Sequence, residues 1–222
     1  MIAGVDGCKE KWIAVVDRGN GLTEVLEPCT FLELFENRGL DLIVIDIPIG
    51  LPDKGDRKAD KAARKCLGIR HVCVFPAPIR PILDCVNREK ACEKCVSIGE
   101  RRVNVFQWAI VPKIRCIDLV LRRGKDAQDR IREGHPEVSF TQMNSGTPLL
   151  SKKSTEGIDQ RLRLVHNEFP EAQFRLGMRH IEDTLDAYAL LWTARRIVLG
   201  TERRFPETAE LDPFGLRMEI SV

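Results

Sequence analysis

Apolar positions along this chain fall into short blocks whose spacing changes from one part to the next. Ile2-Ala3-Gly4-Val5 and Trp12-Ile13-Ala14-Val15-Val16 predict strands over 2–6 and 12–16, joined by the hairpin-like Gly7-Cys8-Lys9-Glu10-Lys11. Gly19-Asn20-Gly21 is a turn signal, and the chain returns through Leu22 to Leu26 as a third strand. Thr30 caps a short helix that runs to about Asn37 and is stopped by Gly39. Leu42-Ile43-Val44-Ile45 is an unbroken apolar run closed by Asp46, the pattern of a central strand over 42–47 covered on both faces. Pro48, Gly50 and Pro52 end it in a rigid loop.

Beyond that loop the spacing turns helical. Residues 56–67 predict a basic helix, 72–118 are the least regular stretch, and 117–133 return to a helical pattern. Val138-Ser139-Phe140, entered through Pro136, predicts a fifth strand. Residues 158–168 and 182–198 predict two further helices, the last stopped by Gly200. The expectation is one α/β domain over 1–222, with a large insertion at about 53–116 between strands four and five.

A chain of 222 residues can bury a substantial core, and 43% hydrophobic with 31% charged residues is the balance of a soluble globular protein. The net charge of +2 is too small to point to nucleic acid by itself, so local charge matters more. The N-terminus lacks the basic and apolar regions of a signal peptide, and no run approaches the roughly 18 apolar residues of a membrane span. A cytoplasmic protein with no membrane partner is expected. The eight cysteines then read as reduced thiols or metal ligands rather than disulfides.

The candidate chemistry lies in four aspartates. Asp6 and Asp46 end apolar strands, where a carboxylate is costly unless it is paired or binds a metal. Side-chain alternation puts Ile2, Gly4 and Asp6 on one face, and Leu42, Val44 and Asp46 on one face. If the two strands are parallel neighbours, both acids sit at C-terminal strand ends, where open α/β sheets place ligands. Asp183 and Asp186, spaced i, i+3, share a helix face continued by Ala187, Leu190, Ala194 and Ile197, which aims them at the sheet. Singly, each acid has an ordinary reading as a turn residue, an N-cap or a partner of the helix dipole.

Three meandering strands, a helix and a fourth strand, with Asp on strands one and four and Asp-x-x-Asp-Ala opening the last helix, resemble the RNase H-like superfamily. The closest functional pattern is that of RuvC-type Holliday junction resolvases. Gly4-Val5-Asp6-Gly7-Cys8-Lys9 with Trp12-Ile13-Ala14-Val15, and Asp46-Ile47-Pro48-Ile49-Gly50-Leu51-Pro52, resemble more narrowly an uncharacterised family of predicted RNase H-like nucleases. Further matches are Val74-Phe75-Pro76-Ala77-Pro78, Pro112-Lys113-Ile114, His135-Pro136-Glu137-Val138-Ser139-Phe140 and Ser151-Lys152-Lys153. The resemblance implies a mixed five-stranded sheet, three antiparallel strands and then parallel ones, flanked by helices. It makes Asp6, Asp46, Asp183 and Asp186 the metal ligands, with Asp6 bridging two ions. Asp46 stands where resolvases usually carry Glu. Glu137, an extra acid on the expected fifth strand, is a fifth ligand, a residue orienting the attacking water, or an exposed edge residue. Lys113 and the pair Lys152 and Lys153 become the candidates for neutralising phosphate charge.

An all-oxygen ligand set suits Mg²⁺ or Mn²⁺, and two such ions about 3.5–4 Å apart can drive in-line phosphoryl displacement. The implied activity is a metal-dependent nuclease acting on DNA or RNA, with a homodimer the arrangement that resolvases use. Residues 53–70 carry seven basic side chains against three acids. Within them Arg57, Lys61, Arg64 and Lys65 form a helical stripe suited to a phosphate backbone or, equally, a solvated helix face. Cys92-Glu93-Lys94-Cys95 has zinc-knuckle spacing, which leaves open a structural Zn²⁺ site or buried thiols. Two other functions stay open. One is a non-catalytic nucleic-acid- or protein-binding module on the same scaffold. The other is an actin-like or sugar-kinase-like ATPase, for which a single copy of the core is too short.

Overall fold

A computed structural model describes residues 1–37, 39–174 and 178–222. Strands β1 (Ile2–Cys8), β2 (Lys11–Asp17) and β3 (Thr23–Cys29) meander antiparallel, and α1 (Phe31–Asn37) leads to β4 (Leu42–Ile45). β4 pairs parallel with β1, and β5 (Ile131–Glu133) pairs parallel with β4, giving the order β3-β2-β1-β4-β5. This is the mixed five-stranded α/β sheet flanked by helices that the sequence predicts.

Between β4 and β5 the chain forms α2 (Lys58–Leu67), α3 (Arg88–Ser97), α4 (Val105–Leu121) and α5 (Lys125–Arg130). After β5 come α6 (Pro136–Met143), α7 (Thr155–Glu168), α8 (Ile181–Val198) and a hairpin of β6 (Arg204–Leu211) and β7 (Arg217–Ser221). Among the described residues, no helix is long and apolar enough to cross a membrane.

Three expectations are corrected. The fifth strand is Ile131–Glu133, and Val138-Ser139-Phe140 lies inside α6. Pro136 occupies the first turn of that helix, where its missing N–H costs nothing, so it opens a helix instead of leading into a strand. The helix expected over 117–133 is really the end of α4, a break at Gly124, the short α5 and the strand β5. The stretch 72–118 is also more regular than its composition suggests, because Asn87 and Asn104 each cap a helix there. Asn104 and Gln107 form a reciprocal capping box.

Alternation along β1 and β4 divides the core between the two sheet faces. Ala3, Val5, Ile43 and Ile45 pack toward α1 and α4, whereas Val15, Leu42 and Val44 pack toward α8. Gly4 faces α8. A Cβ there would overlap the Ala187 carbonyl and the Leu191 amide, so the bare backbone of β1 lets the helix backbone rest directly on the strand. The hairpin β6–β7 continues the core past β5, with Ile220 and Val222 packed against Ala59, Ala63 and Leu67 of α2 and Val138 of α6.

Candidate metal centre

The parallel register Ile2↔Leu42 and Gly4↔Val44 carries Asp6 and Asp46 to the same strand ends, and the Asp46 amide donates to the Val5 carbonyl at 3.1 Å. Both follow the face that meets α8. Asp186 lies one turn before Leu190, whose backbone meets Gly4, so it is directed at the same point. Asp6 and Asp186 are buried. Burial, and then the negative charges of Asp186 and Asp46, hold the Asp6 carboxyl well above the usual carboxylate range. Burial likewise raises Asp46, and it lifts Asp186 to about 6 although Lys152 opposes it. Three acids from β1, β4 and α8 thus share a low-dielectric setting, near enough for the charges of Asp46 and Asp186 to raise Asp6. That donor set, all carboxylate oxygen, is the kind a hard divalent cation takes.

Two lysines enter the cluster. Lys152 reaches Asp186 Oδ2 with its Nζ at 2.6 Å. Burial pulls its ammonium down, but the attraction of Asp186, Asp6 and Asp46 wins and holds the charge firmly. Lys113 approaches from the opposite sheet face. Its Nζ lies 4.2 Å above the Trp12 ring, donates to the Lys11 carbonyl at 3.0 Å and occupies the space a Cβ on Gly7 would need. Burial keeps its pKa below the ordinary lysine value despite Asp6, Cys8, Asp183 and Asp46 nearby. Lys153 is exposed beside the cluster.

The other expected residues are sorted differently. Asp183 turns to the side, with its Oδ2 3.4 Å from His180 Nδ1. Glu137 sits in the first turn of α6, not on a strand. Both its oxygens accept from Arg161 at 2.7 and 2.8 Å, and Arg161 also binds the Leu150 and Gly157 carbonyls. Arg57, expected on an exposed basic stripe, is buried at the start of α2. It forms two parallel hydrogen bonds with Glu133 at 2.7 Å each, and it also bonds Asp60. Arg57 is therefore withdrawn from the nucleic-acid stripe. Lys61 and Lys65 remain exposed and Arg64 is half-buried, reaching the Val74 carbonyl at 3.4 Å. Cys92 and Cys95 are buried in the core, with the Cys92 thiol 3.5 Å from the Val103 carbonyl.

A cavity of about 610 Å³ opens onto Asp46 and Asp186, with His135, Glu137, Lys152 and Lys153 also in its lining. Ligand spacing in the sequence does not single out His135. It precedes Pro136 at the start of α6, lies near enough to Asp46 to lower that carboxyl's pKa, and its Nδ1 is buried without a hydrogen-bond partner. Phe75 and Phe106 stack at the cavity's edge, ring centroids 5.8 Å apart, with 54% and 68% of their surfaces exposed. Large apolar side chains left this open, beside cations, are the kind of surface on which an unpaired base stacks.

No curated protein and no solved structure matches the chain. A family model described as a protein of unknown function, DUF429, matches residues 4–211, and the chain belongs to that family.

Proposed function

We propose that this protein is a metal-dependent nuclease that hydrolyses phosphodiester bonds of DNA or RNA with an RNase H-like arrangement of acids. The observation that carries the reading is the meeting of Asp6, Asp46 and Asp186 at the ends of two parallel strands and one helix. Each is held toward its protonated form by burial, an arrangement that invites a bound cation. Mg²⁺ or Mn²⁺ bound by these carboxylates would activate water and stabilise the leaving oxygen. Around them the chain's own groups divide the remaining work. Lys152 balances the charge of Asp186, and His135, with its free Nδ1 beside Asp46, is suited to exchange a proton with water or the leaving group. Lys153 and Arg70 line the cavity as phosphate contacts, and the Phe75–Phe106 pair favours a strand with an unpaired base.

One observation favours a second reading. The Lys152–Asp186 ion pair already places a cation among the acids, as a binding module with no catalytic metal would require.

Cleavage of labelled single strands, duplexes, RNA–DNA hybrids and four-way junctions in Mg²⁺ or Mn²⁺ separates the two. The nuclease reading expects metal-dependent cutting, stronger on substrates with unpaired bases and lost by at least 10³-fold in Asp46→Asn. If no substrate is cut while wild type and Asp46→Asn bind nucleic acid equally, the binding module stands instead.

A further inference from the structure

Cys8, His180 and Asp183 meet beside the carboxylates, and their chemistry is of a different kind. Cys8 ends β1 on the same face as Asp6, His180 caps the start of α8, and Asp183 lies in its first turn. The Cys8 Sγ is 3.2 Å from His180 Nδ1, and that same nitrogen is 3.4 Å from Asp183 Oδ2. One ligand atom from each residue lies within 4.8 Å of both others. We infer that these three residues form a binding site for a thiophilic divalent ion of the zinc class, separate from the hard-cation site at Asp6, Asp46 and Asp186. The inference does not rest on nuclease activity.

Tetrahedral zinc, about 2.3 Å from sulfur and about 2.0 Å from nitrogen and oxygen, sets the sulfur and nitrogen roughly 3.5 Å apart and the nitrogen and oxygen roughly 3.3 Å apart. The sulfur–nitrogen edge of 3.2 Å and the nitrogen–oxygen edge of 3.4 Å agree with these values to within a few tenths of an ångström. Hydrogen bonding alone serves the triangle less well. With Asp183 ionised, the thiol and Nδ1 supply at most two protons for three mutual contacts, whereas a cation accepts a lone pair from every corner.

Thiolate and imidazole select zinc-class ions over Mg²⁺. Cys8 is buried, but the side chains of His180 and Asp183 are each 29% exposed, so a fourth position stays open to water. Three protein ligands with an open fourth position is the pattern of zinc sites that keep a bound water. His180 reaches the site from a left-handed backbone at φ 58°, a conformation that histidine adopts more readily than most residues. Two steps of extended strand carry the chain from Asp6 to Cys8, about 6.6 Å along β1. The two sites are neighbours, and they differ in the ion they prefer.

Cobalt(II) is the probe, because thiolate ligation gives it a charge-transfer absorption that carboxylates cannot produce. Titrating the purified full chain with Co²⁺ under reducing conditions should give that band at one equivalent, and Zn²⁺ should remove it. Cys8→Ser should abolish the band. His180→Ala, a change at a partly exposed position that leaves the buried thiol in place, should weaken cobalt binding by at least tenfold, with far-UV circular dichroism showing both variants folded. Absence of the band from the wild type overturns the site. So does a band that survives either substitution undiminished, since the thiolate would then come from elsewhere, with Cys92 and Cys95 the first to consider.

Discussion

With no side chain at Gly4, the backbone of α8 can rest on β1 where a Cβ would overlap the Ala187 carbonyl oxygen and the Leu191 amide nitrogen. Both are main-chain atoms, so no rotamer change could make room. Asp186 is carried on that helix one residue before Ala187, and the distance from α8 to the sheet therefore sets how closely Asp186 approaches Asp6. Gly4→Ala should destabilise the protein by about 3 kcal/mol or more, the upper end of overpacking penalties, because helix and strand must part. Urea unfolding measures the loss. Cation binding at the acids should weaken in the same variant, in excess of any unfolded fraction. A midpoint within about 0.5 kcal/mol of wild type would mean that the close approach is not required. Gly7 has a similar part on the other face, where Lys113 fills its missing side chain, though a flexible lysine can yield where a backbone cannot.

At the scale of elements, β1 to β4 and α8 were legible because each satisfies a simple periodic rule. Alternation or an unbroken apolar run marks a strand, and Asp183, Asp186, Leu190 and Ala194 mark a helix face. The placement of Asp6 and Asp46 at neighbouring strand ends, with Asp186 on the helix face above them, follows from those same rules. β5 obeys no such rule. It has three residues, and its last is Glu133, a carboxylate in the core whose partner Arg57 lies 76 positions away. The pairing of Glu137 with Arg161, 24 positions apart, is likewise a long-range matter that no local window contains. Arg57 illustrates the limit. Helical spacing groups it with Lys61, Arg64 and Lys65, but burial beside Glu133 and Asp60 removes it from the surface. Its truncation should therefore act on folding. Arg57→Ala leaves two buried carboxylates without their cation and should cost about 3–5 kcal/mol by chemical denaturation. Lys61→Ala with Lys65→Ala should change stability by less than about 0.5 kcal/mol. If α2 contacts a phosphate backbone, that pair should instead lower the salt dependence of nucleic-acid binding by roughly 2 in slope. Equal stability of Arg57→Ala and wild type would contradict the buried network.

Across the whole molecule the charges nearly cancel, at 35 basic against 33 acidic residues, so the clustering of acids at one point is a local expense that the fold must carry. Its pH dependence has a definite sign. Burial raises the Asp186 carboxyl from 3.8 in the unfolded chain to about 6 in the folded one. Between those values the folded state holds a proton that the unfolded state has lost, so stability falls as pH rises and the full penalty is present above pH 6. A shift of that size corresponds to about 3 kcal/mol, or roughly 6–12 °C in melting temperature for a chain of this length. Asp6 and Asp46 are shifted in the same direction and add to the effect. In EDTA, the melting temperature of wild type relative to Asp186→Asn should fall between pH 4 and pH 7. On the proposed reading a divalent cation would bind only the ionised, folded cluster, so Mg²⁺ should restore much of the loss at pH 8 and almost none at pH 4.5. If wild type and Asp186→Asn keep a constant difference across that range and Mg²⁺ moves neither, the carboxylates are an ordinary buried cluster and the cation site is absent. A difference that grows with pH and closes with Mg²⁺ would instead mean that stability has been given up at this point for the capacity to bind an ion.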